Sequence, residues 1–353
     1  PGAASPGSRQ AAMKLTLLSW LACPVCGGDL KFSALESYPR HTEEVESATL
    51  ACKECAREYP VTDGIPRLRP PDPLEARAAK TRQTFGWEWL RYPGSLPEDK
   101  SIFLEETMLP PQELSGKLVL DAGCGMGRYS AVALSFNAEV VALDMSESLV
   151  RVAERARTEA KLHPVEGDLL HPPLKRAIFD VVYSQGVLHH TADTHAAFAA
   201  VAALVKPRGL FAVWLYGRAG RYEDFATNPL KPGREWIVNH RRLAWGIVLV
   251  RHILSDFLRV FTTRLPVPIV HALCHPLTWL GVVPGLKWLT YSVHPDYQVR
   301  LIENFDWISP PYQWHHTKEE LARWYREEGF SVLGSLPHGL VPKPGALGRK
   351  KAS

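Results

Sequence analysis

Short apolar runs, each closed by Gly, Asp or Ser, recur through the middle of the chain and alternate with amphipathic stretches. Such alternation predicts parallel strands buried on both faces and joined by crossover helices. Strands are expected over 118–121, 139–143, 163–167, 178–184 and 210–216, with a helix over 193–205. After a long interruption the pattern resumes with a helix over 318–328, started by Thr317 and Glu320 as a capping box. A strand over 330–333 follows, and a last antiparallel strand near 339–341. The fold class expected is α/β, a doubly wound sheet of six parallel strands plus one antiparallel. A small N-terminal module and a mainly helical insertion complete it.

The interruption, 218–306, has its own period. Leu243, Ile247, Val250, Leu254, Phe257 and Phe261 recur at helical spacing with Leu258, while Arg241, Arg242, Arg251, Asp256 and Arg259 fill the other positions. From Arg218 to Arg264 nine Lys/Arg stand against four Asp/Glu. Three uses fit this stripe: a lid over an acceptor pocket, a basic amphipathic helix at a membrane surface, or a nucleic-acid groove. Proline-broken 265–289, with Trp279 and Trp288, favours a greasy pocket and a small or lipid-like acceptor.

Net charge is only +4, so global charge gives no support to a nucleic-acid or anionic partner. Residues 1–14 are read as a tail rich in Pro, Gly, Ser and Ala, and 342–353 as a second disordered tail. No secretory signal is visible, and the eight-residue run 243–250 is too short to span a bilayer. The expected location is cytoplasmic, with peripheral membrane contact through the insertion left open.

Six cysteines change the picture at the N-terminus. Cys23-Pro-Val-Cys26 and Cys52-Lys-Glu-Cys55 repeat the two-residue spacing that aims a pair of thiolates at one metal. Two such knuckles fit a structural, four-thiolate Zn2+ site within a module over 15–70. Its 55 or so residues are too few for a sufficient core of their own, so metal binding supplies stability.

The candidate chemistry centres on Leu118-Val-Leu-Asp-Ala-Gly-Cys-Gly-Met-Gly127. A strand ends at Asp121, and Gly123, Gly125 and Gly127 let the backbone turn and approach a ligand. Asp144 ends the next strand 23 residues later, a separation that suits ribose hydroxyls. Asp168 ends a third strand. Acids at three successive strand ends favour a neutral or cationic nucleoside over a dinucleotide.

The spacing Asp-x-Gly-x-Gly-x-Gly, with Gly167-Asp168-Leu169 and Gly186-Val-Leu-His-His190, resembles class I S-adenosylmethionine-dependent methyltransferases with a Rossmann-like sheet, the core falling at 116–217. Leu21-Ala-Cys-Pro-Val-Cys26 and Tyr59-Pro-Val-Thr-Asp-Gly-Ile-Pro66 resemble the small zinc-binding activator subunit of tRNA and protein methyltransferases. The first resemblance implies S-adenosylmethionine as cofactor. Asp121 and the three glycines would cradle its amino acid part, Asp144 its ribose, and Met145, Asp168 and Leu169 its adenine, with Gln185 nearby.

His189 and His190 follow the fourth strand, either as a general base or as pocket lining, and His190 is the favoured base. In the linker and cover region 71–115, Phe85, Trp87 and Trp89 form either a lid over the cofactor or ordinary core packing, and Trp87 is the candidate substrate contact. The stretch from Asp306 through Ser309 and Tyr312, within the return to the core at 307–341, resembles a bacterial group of fused zinc-module methyltransferases. Tyr312, His315 and His316 would line the acceptor site there, or merely pin the insertion to the core. The fourth strand lacks the Asn/Asp-Pro-Pro-aromatic motif of adenine amino methylation, and Cys124 and Cys274 lack the setting of a cytosine nucleophile. An O, N or carboxylate acceptor is the leading expectation. RNA docked through the zinc module is the first alternative, and a non-catalytic scaffold the second.

Overall fold

The computed structural model describes residues 11–35, 44–70, 74–91, 94–218, 239–292, 294–336 and 343–352. The N-terminal module comprises β1 (Met13–Lys14), α1 (Leu15–Leu18), β2 (Leu30–Leu35), β3 (Glu44–Val45), β4 (Ala48–Cys52), β5 (Glu58–Thr62) and β6 (Ile65–Pro66). Strands β2-β4-β5-β6 form an antiparallel sheet, and β1 pairs with β3. Two helices then lead to the core, α2 (Ala76–Arg91) and α3 (Asp99–Thr107). The core proper runs β7 (Leu118–Ala122), α4 (Arg128–Ser135), β8 (Glu139–Asp144), α5 (Leu149–Ala156), β9 (Leu162–Glu166), β10 (Phe179–Gln185), α6 (Thr194–Ala202) and β11 (Val205–Trp214). The insertion supplies α7 (Arg241–Thr262), α8 (Val267–Leu280) and α9 (Tyr297–Ile308), and the chain closes with α10 (Lys318–Glu327), β12 (Phe330–Ser335) and β13 (Gly345–Lys350).

The large sheet has the order β12-β13-β11-β10-β7-β8-β9. Strands β7 to β11 are mutually parallel, and β13 runs antiparallel to both β11 and β12, so six strands point one way and one the other. The order reverses between β7 and β10, where such sheets open a crevice at their C-terminal edge. Val119, Leu120, Val140, Val141 and Val182 are fully buried, as strands covered on both faces require. Asp193 caps α6 by accepting the Ala196 N–H at 3.0 Å, and the Thr317–Glu320 capping box starts α10 as expected.

Both tails depart from expectation. Residues 1–10 lie outside the described residues, but Met13 is 1% exposed and β1 pairs with β3, so 11–14 belong to the fold. The last antiparallel strand is Gly345–Lys350, whereas 339–341 lie outside the described residues. Gly-Ala-Leu-Gly-Arg-Lys can form it because it sits between β11 and β12, where main-chain pairing on both sides adds to the burial of Ala346 and Leu347. Residues 345–350 are thus strand, not tail.

The small module closes the β9 edge. Leu68 N–H donates to Glu166 O at 2.8 Å, Ala22 N–H to Pro173 O at 3.0 Å and Lys175 N–H to Trp20 O at 2.8 Å. One apolar core runs through both parts, joining Leu21, Leu50, Val61 and Leu68 to Leu143, Val165 and Leu174. Glu166, 1% exposed, holds the junction, receiving Arg67, Arg69 at 2.5 Å and Arg82 of α2 at 3.6 Å.

The insertion helix is inside out relative to the lid expectation. The face of α7 turned to the protein carries Ala244, Val248, Arg251, His252, Ser255 and Thr262, while Leu243, Val250, Leu254, Phe257 and Phe261 are exposed. Trp279 is also exposed; the side chain of Trp288 lies outside the described residues. Ser255 and Thr262 hydroxyls donate to the carbonyls of Trp307 and Ile308, so hydrogen bonds, not a greasy stripe, seat α7 on α9.

Candidate active site and metal centre

The sulfurs of Cys23, Cys26, Cys52 and Cys55 all lie within 4.8 Å of one another. Cys23 and Cys55 are 3.7 Å apart, and Cys26 and Cys52 are 3.4 Å apart. Thiolates about 2.3 Å from a tetrahedral ion would be separated by about 3.8 Å, so the cluster fits a four-thiolate metal. Each knuckle turns by the same device. Gly27 and Ala56, the residues after the second cysteine of each pair, both have positive φ and donate N–H to the first cysteine's carbonyl, at 2.8 and 3.1 Å.

At the crevice, Gly123, Gly125 and Gly127 have φ of +88, +55 and +80°, a region other residues avoid. Gly123 and Cys124 N–H both donate to Leu143 O, tying the turn to β8. Asp144 reaches back, one carboxylate oxygen accepting Gly125 N–H at 2.8 Å and the other Ser146 N–H at 2.7 Å. Asp121 is buried and accepts the Ser130 hydroxyl at 2.7 Å; burial pushes its carboxyl up to about 7, against that hydrogen bond. Asp168 is half-buried and accepts Leu170 N–H at 2.9 Å, whereas the Leu169 side chain sits in the core, leaving its main chain for a ligand. Met145 is half-buried, its carbonyl taken by Arg82 at 2.7 Å. Gln185 holds Ala212 O through Nε2 at 3.2 Å, and its Oε1 is buried with no hydrogen-bond partner among the described residues.

These placements give a sharp expectation for Gly123→Ala. The new methyl would lie 2.3 Å from Val187, at a φ that alanine resists. A loss of roughly 1–3 kcal/mol of stability is expected, read by thermal melting.

Helix α2 lies over this crevice. The Trp89 indole faces Gly125, where an added Cβ would meet the ring at 3.1 Å, and the Phe85 ring is 4.8 Å from His190. Trp87, the candidate substrate contact, points away from Gly125, against His271 and the core of the insertion.

His189 and His190 sit past β10, both buried. His190 Nδ1 is 2.8 Å from Tyr312 O, so it must carry the proton, which leaves the lone pair on Nε2, 3.9 Å from Asp306. Burial pulls its pKa down to about 3, keeping the ring neutral. His189 Nδ1 accepts Tyr216 N–H, and its ring stacks on Tyr216 at 4.0 Å. The Tyr216 hydroxyl donates to Asp306. Burial and the neighbouring Glu303 push Asp306 up to about 6. Buried Glu88 of α2 is held well above the carboxylate range by burial and then by Asp306 and Glu303.

The 312–316 segment is stitched across the strand ends. His316 N–H donates to Tyr216 O and Trp314 N–H to His189 O, both near 3 Å. The Tyr312 hydroxyl donates to Glu75, and the His316 ring packs on Trp324, which suits pinning. His315 instead joins His252 and Tyr216 in the ring cluster. Sequence reasoning missed Glu88, Tyr216 and the carboxylate role of Asp306. An acid set between Trp87 and Trp89, in a stretch expected to be buried, was the available signal for Glu88.

Residues 120–213 match the methyltransferase domain family, and residues 14–64 the Trm112p-like protein family. An uncharacterized methyltransferase of Mycobacterium tuberculosis is 34% identical over 110 residues, 31% of this chain and 54% of that protein. The sterol 24-C-methyltransferase of Aspergillus fumigatus is 29% identical over 176 residues, 47% of this chain and 44% of its own. The chain thus spans about half the length of the curated relatives it matches. An S-adenosylmethionine dependent methyltransferase from Mesorhizobium loti superimposes with TM-score 0.40 at 19% identity, covering 69% of this chain and 94% of that one. Residues 14–64 are a Trm112p-like domain and residues 120–213 a methyltransferase domain, joined in one chain.

Proposed function

We propose that this protein transfers a methyl group from S-adenosylmethionine to an oxygen, nitrogen or carboxylate of a small or lipid-like acceptor, and that its four cysteines hold structural zinc. The observation that carries the reading is the hydrogen bond from Gly125 to Asp144, which locks a three-glycine, left-handed turn against a carboxylate at the next strand end. When bound, S-adenosylmethionine supplies an electrophilic methyl on a sulfonium, for which proximity and alignment do most of the catalytic work. Asp144 would take the ribose hydroxyls, Asp168 and the Leu169 main chain the adenine, and the 123–127 turn the amino acid part. Met145 and Gln185 would flank them, and Trp89 and Phe85 would exclude water.

The proton lost by a hydroxyl or amine acceptor is assigned to the His190–Asp306 pair: Tyr312 O keeps the His190 proton on Nδ1 and burial holds that ring neutral, so Asp306, 3.9 Å from Nε2 and the stronger base of the two, takes it. A carboxylate acceptor has no proton to lose. His189 positions Tyr216 and thereby Asp306. Because Asp306 titrates near 6, its negative charge is present above that pH and lost below it. Methyl transfer should therefore fall as pH drops through about 6, and Asp306→Asn should lower kcat and remove that acid limb. A rate that is flat from about pH 5 to 8 in the wild type would contradict this assignment.

The aromatic and histidine cluster of buried Tyr216, Trp307 and His252 with half-buried His315 favours an acceptor with apolar bulk. Incubating the enzyme and cofactor bearing a labelled methyl with cell extract, then counting lipid, small-molecule, RNA and protein fractions, tests this. Label in lipid or small molecules supports the reading. Label confined to RNA would replace it with an RNA methyltransferase, and no label in any fraction would favour a scaffold.

A further inference from the structure

The outer face of the insertion is unusually apolar among the described residues. On α7, Ile253 is 62% and Phe257 60% exposed, with Leu243, Val250 and Phe261 above half. Trp279 at the end of α8 is 64% exposed, followed by exposed Val282, Val283 and Leu286. Isolated exposed apolar residues are ordinary, but a helix that buries Arg251, His252 and Ser255 while exposing Ile253 and Phe257 is not. Spread over two helices, such a face calls for a covering partner.

Charge identifies the cover. Between positions 241 and 295 the sequence holds six Lys/Arg, of which Arg251 is buried, and a single acid, Asp256, which is engaged by Arg259 at 2.9 Å. Arg242 and Arg264 are exposed at the two ends of α7, flanking the apolar face. An apolar band with cations at its margins and almost no acid is complementary to an anionic lipid surface. No helix among the described residues is long and apolar enough to cross a membrane, so the face would lie on the bilayer.

We propose that α7 and α8 dock this protein onto anionic lipid bilayers, with Ile253, Phe257 and Trp279 entering the acyl boundary and Arg242 and Arg264 meeting headgroups. The inference rests on the outer face alone and stands or falls apart from the methyl-transfer reading. It is tested by co-sedimenting the full chain with vesicles of phosphatidylcholine, with and without phosphatidylglycerol. Binding is expected to the anionic vesicles, to weaken with salt, and to fall about tenfold or more in Ile253→Ser/Phe257→Ser. Both residues are exposed, so the variant should keep the wild-type melting temperature. Brominated lipid should quench a fluorescence component that Trp279→Phe removes. Absence of binding to anionic vesicles, or equal binding by the double variant, would overturn the proposal. A concentration-dependent dimer that the double variant abolishes, without vesicle binding, would assign the face to a second copy of the chain instead.

Discussion

Removing the zinc proposed for the four-cysteine site is expected to lower the melting temperature by roughly 10 °C or more and to loosen the β9 edge of the large sheet along with the small module. The knuckles at 23–26 and 52–55 precede β2 and end β4, and in a segment this short a bound metal would add stability to a small core. Yet Leu21, Leu50, Val61 and Leu68 also pack on Val165 and Leu174. Losing the metal therefore exposes apolar surface on both sides, and β9 is left with an unpaired, sticky edge. Melting with and without a chelator, together with Cys52→Ser, checks this. A Cys52→Ser protein that melts like wild type, with no bound zinc by metal analysis, would contradict it.

Replacing Glu166 by alanine should cost about 3 kcal/mol, a large effect for one side chain. Its carboxylate is 1% exposed and is the common counter-charge for Arg67 and Arg69 at the end of the small module and Arg82 on α2. Removing it leaves three partly exposed guanidinium groups facing one another without their buried counter-charge. Because Arg82 also holds Met145 O, the damage should spread to the cofactor crevice. Urea denaturation gives the stability change, and limited proteolysis should show the small module released first. A change below about 0.5 kcal/mol would mean that solvent screens the cluster.

Much of this architecture was legible because its signals are local. β7, β8 and the second half of β11 read as apolar runs, and Asp121, Asp144 and Asp168 fall close to strand ends. The doubled cysteine spacing encodes its own geometry. What escaped was set by tertiary context. The 345–350 strand carries no apolar pattern, since its neighbours β11 and β12 supply all its pairing. The α7 stripe had the right period, but period alone does not say which face meets the protein. Here the polar face wins because Ser255 and Thr262 find the carbonyls of α9. Trp87 and Trp89 were grouped by adjacency, yet on a helix they diverge by about 200° and reach different neighbours, His271 and Gly125. Glu88 and Asp306 are far apart in sequence, and only the packing of α2 on α9 makes them a pair.

Whether this crevice takes S-adenosylmethionine is the claim on which the function depends. Calorimetric titration of S-adenosylhomocysteine into the wild type and Asp144→Ala tests it without an acceptor. One site per chain is expected, with affinity at least about 100-fold weaker in the variant, since Asp144 both orders the Gly125 turn and meets the ribose. No heat of binding in the wild type, or equal affinity in Asp144→Ala, would contradict the assignment.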